Sequence, residues 1–527
     1  MTTTWRLIVG PPGTGKTTEL LRVLRSEIDR GVRPERIAFL SFTRAARLEA
    51  LTRVGTELGL HEDDMPWCRT VHSAAYRLLK IAPASIMMDE RWNEFAKKYG
   101  YDFSDVEQDE IGAPLEAPAR TPDDGLRWVY SWGRSRRLGL EATAVKAPMR
   151  VDRLKLFQFA YRFDEFRRTH DLLDFTDMVE RVVERQLAPS IDVALIDEAQ
   201  DLSPLEIAAV RIWTEACERV YVAGDPDQAV YNFKGADPAW MLSLAKTSAT
   251  TLLRQSHRVP VLAHAISSRI IAWNRARIAS AYLPAPRDGT VGTGMAMGEA
   301  LDAIGDVGAF VLARNRAFLR HASWHLFDTG RPYLVEGGGA GPNPLGNTET
   351  VRAVRTAHAI HKGMTRIDSR DVAALLTAVP VRGSSLVDYG ARARVLEMRG
   401  FLDVPAVATT VGFEPLLRAL TLHPTRPLLR LDERFRTYFQ TLLDKHGEIP
   451  GAKIRLMTIH ASKGREHEHV VLLPDHTTSV DEDYRRGDWE SENRIRYVAV
   501  TRTRERLTIT RPTGRKYYEH PVDRRTA

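Results

Sequence analysis

The stretch Arg6-Leu7-Ile8-Val9-Gly10-Pro11-Pro12-Gly13-Thr14-Gly15-Lys16-Thr17-Thr18 decides the fold. A short apolar run of strand type, residues 7–9, leads directly into a GxxxxGK[ST] loop, and helix-forming sequence follows at once. Strand, glycine-rich turn and helix in that order make a phosphate cradle. The loop amides and Lys16 face the phosphates, and Thr17 offers a hydroxyl to Mg²⁺. Gly10, Gly13 and Gly15, with Thr14 between them, let the backbone wrap closely around the β-phosphate. By composition such a string arises by chance in roughly a few per cent of chains this long, and the flanking strand and helix lower that further.

Outward from this loop, apolar strand-type runs recur at 37–41, 193–196 and 220–223, each followed by a polar or glycine-rich turn and then helix-type sequence. A second set lies at 309–312, 454–459, 469–473 and 506–510. This alternation predicts an α/β fold with two parallel-sheet lobes. Residues 1–82 and 171–255 are expected to form the first lobe, interrupted by a helical insertion at 83–170. Residues 256–345 and 450–527 are expected to form the second, interrupted by a mainly helical insertion at 346–449. Gly337 to Gly341, followed by Pro342 and Pro344, reads as a flexible lead-in to that second insertion.

The 527 residues suit two to four domains. With 43% hydrophobic and 27% charged residues, and without a run of about 20 apolar residues, the chain is expected neither to cross a membrane nor to be secreted. A cytoplasmic setting follows as an expectation. Cys68 and Cys217 are too few for a disulfide scaffold or a paired-cysteine zinc site. The net charge of +7 suits a polyanion partner, although only 13 of the 75 basic residues are lysine, a bias that genome composition also produces.

A second run, Val193-Ala194-Leu195-Ile196-Asp197-Glu198-Ala199-Gln200-Asp201, ends an apolar strand in carboxylates. Asp197 stands where a carboxylate holds Mg²⁺ through water, and Glu198 where one accepts a proton from the attacking water.

Taken together, these two motifs resemble those of the superfamily 1A helicases of the UvrD/Rep type, and further motifs of that family occur in order. Ser41-Phe42-Thr43-Arg44 is similar to motif Ia, Thr70-Val71-His72-Ser73 to the TxHx element, and Leu173-Asp174-Phe175 to the element closing the first insertion. The run from Gly224 through Gln228, Tyr231 and Phe233 to Ala236 resembles motif III, and Arg254-Gln255-Ser256-His257-Arg258 motif IV. Leu456 to Glu466, containing Thr458 and His460, resembles motif V, and Tyr497 to Thr503 motif VI. The resemblance spans residues 7 to about 510. It implies two RecA-like lobes and ATP-dependent 3′→5′ travel on single-stranded DNA, with unwinding at single/double-strand junctions in repair or replication. The setting implied is the bacterial cytoplasm, nucleoid-associated or phage-infected. A single-strand translocase that displaces bound proteins with little unwinding is the alternative, and a protein partner for the second insertion stays open.

The resemblance also implies roles. Gln228 would sense the γ-phosphate and its water, and Arg258 and Arg502 would reach across the cleft toward the transferring phosphoryl, whose charge their delocalised cations stabilise. Phe42, Thr43, His72, Tyr231, Phe233, Thr458 and His460 would contact the strand. Tyr231 and Phe233, two apart, would present both rings on one side of an extended segment for base stacking, core packing being the competing reading. Glu466 resembles the ribose-contacting carboxylate. Three features depart from the family pattern. The upstream adenine-contacting glutamine segment is absent, Thr18 stands where an arginine usually follows the loop, and His257 stands for the usual tyrosine. The expectation is intact triphosphate and ribose recognition with relaxed base selectivity.

Two surfaces remain. Residues 131–170 carry ten Lys or Arg (Arg134, Arg136, Arg137, Lys146, Arg150, Arg153, Lys155, Arg162, Arg167, Arg168) with aromatics interleaved. This reads as a backbone-tracking surface or as a solvated helical face. Arg511 to Tyr518 reads as a hairpin in the place of the family's strand-separation pin, with Tyr517 and Tyr518 as wedge candidates, or as a frayed tail.

Overall fold

The computed structural model describes residues 3–41, 44–104, 121–279, 281–485 and 487–521. In the first lobe, β1 (Thr4–Val9), β2 (Ile37–Ser41), β3 (Cys68–Thr70), β4 (Val193–Ile196), β5 (Arg219–Gly224) and β6 (Ala249–Leu252) form one sheet in the order β3-β2-β4-β5-β1-β6, every pair parallel. Leu7 and Val9 enter the core on one face of this sheet and Ile8 the core on the other. A strand buried on both faces reads as a continuous apolar run, which is why residues 7–9 show no alternation. The register of β1 on β5 pairs Val9 with Gly224, so the phosphate loop and the turn after β5 leave the sheet side by side at its carboxyl edge. Ligands of open parallel sheets bind at that edge.

The second lobe begins with β7 (Thr290–Thr293), β8 (Ala309–Ala313) and β9 (Tyr333–Val335), leaves for its insertion, which contains β10 (Arg366–Asp368) and β11 (Phe401–Asp403), and returns with β12 (Ile454–Thr458), β13 (His467–Leu473) and β14 (Thr503–Ile509). Its sheet has the order β7-β14-β13-β8-β12-β9, again wholly parallel. The architecture is thus α/β with two six-stranded parallel lobes. No helix among the described residues is long and apolar enough to cross a membrane.

The first insertion has its own aromatic core. Trp92 stacks on Phe163 at 4.7 Å, and Phe95 and Phe159 pack beside them. Its two ends are tied by a short bridge, with Met87 N donating to Leu173 O and Leu173 N to Ser85 O. The second insertion instead shares one continuous core with its lobe, where Tyr438 stacks on Phe327 at 5.0 Å.

Two sequence expectations change here. The glycine-rich lead-in is anchored, because the Asn343 side chain pairs with both backbone groups of Val335 and Tyr333 Oη donates to Pro342 O at 2.6 Å. The basic stretch is divided, with part of its charge paired within the protein and part facing solvent. Arg134 binds Asp174, Asp177 and Glu180, Arg167 binds Asp164 and Asp177, Arg136 binds Asp237, and Arg153 pairs with Glu141. Those carboxylates lie both inside and beyond the stretch, so its local charge excess did not reveal the pairing. Lys146, Arg150, Lys155 and Arg168 do face solvent.

Candidate active site in the inter-lobe cleft

Gly13 and Gly15 sit at φ 75° and 81°, conformations that glycine adopts without a steric cost. A Cβ on Gly10 would lie 2.4 Å from Thr14 Oγ1, and one on Gly13 would lie 2.4 Å from the Cβ of Arg258. The second contact comes from the other lobe: Ser256 Oγ donates to Pro12 O at 2.9 Å and His257 N to Gly13 O at 2.8 Å. Within the loop, Lys16 Nζ donates to Gly10 O at 2.8 Å, and Thr17 Oγ1 donates to Asp197 Oδ2 at 2.8 Å. The hydroxyl and carboxylate expected to share a metal are therefore adjacent. That hard-oxygen pair fits Mg²⁺, which keeps several waters and phosphate oxygens in its shell.

Burial, and after it the neighbouring charge of Glu198, push Asp197 up to about 6. Burial acts on Glu198 in the same direction, but Lys16, Lys463 and the hydrogen bond from Gln200 outweigh it and hold this carboxyl below its usual range. Glu198 is thus kept ionised, as a proton acceptor must be. Its backbone lies at φ 53°, a left-handed position that turns the chain sharply after β4. Gln200 fixes the turn: its amide nitrogen donates to Glu198 and Asp201, and its carbonyl accepts from Asp225 N at 2.9 Å.

The second lobe closes the other side. Arg502, 1% exposed, donates from Nη2 to Gln228 Oε1 at 3.2 Å, and Gln228 Nε2 donates to Asp225 Oδ2 at 2.8 Å. Burial, then repulsion from Arg258, lowers Arg502 to about 9. Arg258 pairs with Glu466, so here it is held within its own lobe. Lys463 Nζ donates to Asp201 and, at 2.6 Å, to Gln228 O, an inter-lobe bond that the sequence reading missed.

Beside the nucleotide edge, Thr18 and His257 are exposed. Arg53, from the helix Arg44–Leu58, donates from Nη2 to Thr18 Oγ1 at 3.1 Å. A guanidinium therefore reaches the position after the loop from a different helix. No local motif could have revealed it, since 35 residues separate the two.

Of the strand candidates, Phe42 and Thr43 lie outside the described residues. Tyr231, Phe233 and His460 meet: the first two rings are 5.9 Å apart, Phe233 lies edge-on to His460 at 5.3 Å, and Tyr231 Oη donates to His460 O at 3.3 Å. The expected extended segment is instead a tight turn, Asn232–Lys234, with Tyr231 at its head. The rings consequently meet edge to face. Trp132 Nε1 donates to Asn232 O at 3.1 Å, and Gly235, at φ 89°, comes so close to Ser135 that a Cβ would lie 2.2 Å from its hydroxyl. The first insertion thereby sets the turn that carries these rings. Burial, then Arg314, pushes His460 well below its ordinary pKa, and its Nε2 has no hydrogen-bond partner among the described residues. Thr458 is buried, its hydroxyl accepting from Ala461 N at 3.3 Å, and His72 stands beside Glu206 at 3.5 Å.

The segment after β14 is irregular rather than a hairpin, and an isolated bridge between Asp475 and Tyr517 holds it on the second lobe. Thr513 N and Gly514 N donate to the Asp475 carboxylate, and Tyr518, 8% exposed, donates to Glu492, which also pairs with Arg314. Tyr518 is therefore not a wedge, because its ring is buried and its hydroxyl committed. Tyr517 is exposed.

The family model for the UvrD/REP helicase N-terminal domain matches residues 1–249, and that for the UvrD-like helicase C-terminal domain matches residues 436–513, together more than half of the chain. The ATP-dependent DNA helicase UvrD2 of Mycobacterium tuberculosis is 24% identical over 566 residues, covering 95% of this chain and 76% of that protein. The ATP-dependent DNA helicase Rep of Escherichia coli is 24% identical over 260 residues, covering 46% of this chain and 36% of Rep.

Proposed function

The chain belongs to the UvrD/Rep-type superfamily 1 helicases, and from that premise we propose that it is a DNA-stimulated ATPase that moves 3′→5′ along single-stranded DNA and opens duplex at a junction. The observation that carries this reading is one short segment. Residues 225–233 begin at Asp225, which accepts from Gln228, itself bonded to Arg502, and end at Tyr231 and Phe233, packed on His460. A change at the phosphate end is thus transmitted over five residues to rings suited to stacking on bases. The setting proposed is the bacterial cytoplasm.

In this reading Lys16 and the loop amides bind the triphosphate, Glu198 accepts the proton of the attacking water, Gln228 orients that water, and Arg502 faces the developing charge. Thr17 and Asp197 would hold Mg²⁺, whose charge offsets that of the phosphates. Arg258 would have to exchange Glu466 for a phosphate oxygen to act beside Arg502. Strand stacking falls to Tyr231 and Phe233, with the buried His460 ring packed edge-on against Phe233 beneath them.

Steady-state hydrolysis with and without single-stranded DNA, at two salt concentrations, tests the reading. We expect stimulation of about tenfold or more, weakened by salt. Phe233→Ala should weaken strand affinity by roughly 5- to 150-fold, the 1–3 kcal/mol of one stacked base, without raising the unstimulated rate. Hydrolysis indifferent to DNA would refute the strand assignment. Partial duplexes with a 3′ or a 5′ tail then set direction. A second reading, translocation that strips bound proteins with little unwinding, is favoured by the burial of Tyr518, which removes one of the two wedge candidates. A protein roadblock beside a bare duplex separates the two.

Base selectivity gives a further prediction. If Arg53 supplies the guanidinium that Thr18 lacks, ATP should be preferred to CTP and UTP, and Arg53→Ala should erase most of that preference. An equal preference for ATP in both proteins would exclude Arg53 from the base site, and a wild type that turns over all the nucleotides alike would restore the expectation of relaxed recognition.

A further inference from the structure

After the helix Val261–Ile271 residues 272–279 and 281–285 run irregularly before β7. This segment belongs to the second lobe. Asn274 Nδ2 donates to Glu490 O at 2.8 Å, Arg494 Nη2 to Ala276 O at 3.2 Å, and Ala285 N to Val259 O at 2.8 Å. From that base its side chains cross the cleft at two points. The Arg277 guanidinium grips the Asp227 carboxylate, with Nε 2.8 Å and Nη2 2.7 Å from Oδ2 and Nε 3.2 Å from Oδ1. Tyr282 Oη donates to Pro12 O at 2.9 Å, its ring lying 4.5 Å from that of His264.

The two landing points are not arbitrary. Asp227 immediately precedes Gln228, and Pro12 lies in the phosphate loop between Gly10 and Gly13. Asp227 is buried, in the same turn as the buried Asp225, whose carboxylate accepts from Asp227 N at 3.0 Å and from Gln228 Nε2. Two carboxylates so close need a cation, and the first lobe does not provide the one that binds Asp227. A paired, planar guanidinium also fixes orientation, which a lone ammonium does not.

We propose that Arg277 and Tyr282 form an inter-lobe clasp, as positioning residues that register Gln228 and the phosphate loop against the second lobe. Neither residue belongs to the motifs that resemble the family. The inference rests on the function proposed above, since it assigns these contacts to the hydrolytic cycle. Arg277 acts through Asp227 on the orientation of Gln228, so its loss should slow turnover more than it weakens nucleotide binding. Tyr282 acts on the loop, so its loss should weaken binding more than turnover.

The test uses the full chain and measures kcat and KM for ATP, with and without single-stranded DNA, alongside the affinity for a fluorescent ATP analogue and the thermal midpoint. Arg277→Met should lower kcat at least about tenfold with analogue affinity within about threefold, and Arg277→Lys should recover part of the rate. The double variant Arg277→Met, Asp227→Asn should be no slower than Arg277→Met alone, because both remove one interaction. Tyr282→Phe should raise KM roughly fivefold, the weight of one neutral hydrogen bond, with kcat within about twofold. Unchanged kinetics in Arg277→Met, or losses that merely follow a fall in folded protein, would overturn the clasp. Should the wild type hydrolyse ATP without DNA stimulation, the strand-coupled function fails, and the clasp is still decided by the basal kcat of Arg277→Met.

Discussion

Replacing Glu198 with glutamine is expected to lower steady-state ATP hydrolysis by about 10²- to 10⁴-fold, the range for removing a positioned general base, while ATP and strand affinities stay within about threefold. The substitution keeps the shape of the side chain. Its Oε1 can still accept from Gln200, and glutamine tolerates the left-handed backbone at φ 53° about as well as glutamate does. What is lost is proton affinity at the one carboxylate near the phosphate loop that Lys16 and Lys463 hold ionised despite burial. Asp197→Asn should behave differently, since its carboxylate accepts from Thr17 and would meet the metal: the requirement for Mg²⁺ should rise together with the loss of rate. Turnover of Glu198→Gln within about tenfold of wild type would show that another group takes the proton. The variant is also a control for every strand-binding experiment, because it should hold ATP and DNA without cycling.

The residues that make this prediction possible were legible because each stands in a string whose spacing has one physical use. The phosphate loop and the carboxylates after β4 needed no long-range information. Strand detection divided along a physical line. All eight apolar runs correspond to strands of the two lobe sheets, whereas β3, β6, β7 and β9, the outer strands of those sheets, gave no signal, nor did β10 and β11, the two-stranded sheet of the second insertion. An outer strand has a neighbour on one side only and needs less apolar sequence. β6, Ala249–Leu252, is exposed at its first three residues and reads as Ala-Thr-Thr-Leu. Contacts between distant segments were equally hidden. Arg53 beside Thr18, Lys463 on Asp201, Arg277 on Asp227 and Tyr282 on Pro12 join residues 35 to 270 apart, and nothing in the local composition marks them. Tyr518 failed for a related reason. Its place in the chain suggested an exposed tip, but Glu492 and Arg314, far away in sequence, draw it inward.

The basic stretch of the first insertion yields the second large effect, because its most conspicuous arginine is structural. Arg134, on the helix Pro122–Ser135, donates to Asp174 at 2.7 Å, to Asp177 at 2.6 Å and to both oxygens of Glu180. Asp174 also caps the helix Phe175–Glu184, in a reciprocal box with Asp177. One guanidinium therefore joins the first insertion to the first turn of the helix by which the chain re-enters its lobe. Arg134 and Asp174 are both about nine-tenths shielded from solvent, and Arg167 is the only other cation in contact with these two aspartates among the described residues. Arg134→Leu would leave Asp174 and Asp177 to share Arg167 with Asp164 and would take from Glu180 the guanidinium it binds, and breaking a buried network in this way costs about 3–5 kcal/mol. We expect the urea midpoint of the first lobe to fall accordingly, and the turn at Asn232 to lose its anchor, since Trp132 lies on the same helix. A surface role predicts the opposite pattern: stability unchanged and a shallower dependence of strand affinity on salt. That second pattern is the one to expect from Arg150→Ala and Arg168→Ala, whose side chains face solvent. If Arg134→Leu changed only the salt dependence, the network would be contributing little to stability, and the insertion would have to be held by its aromatic core alone.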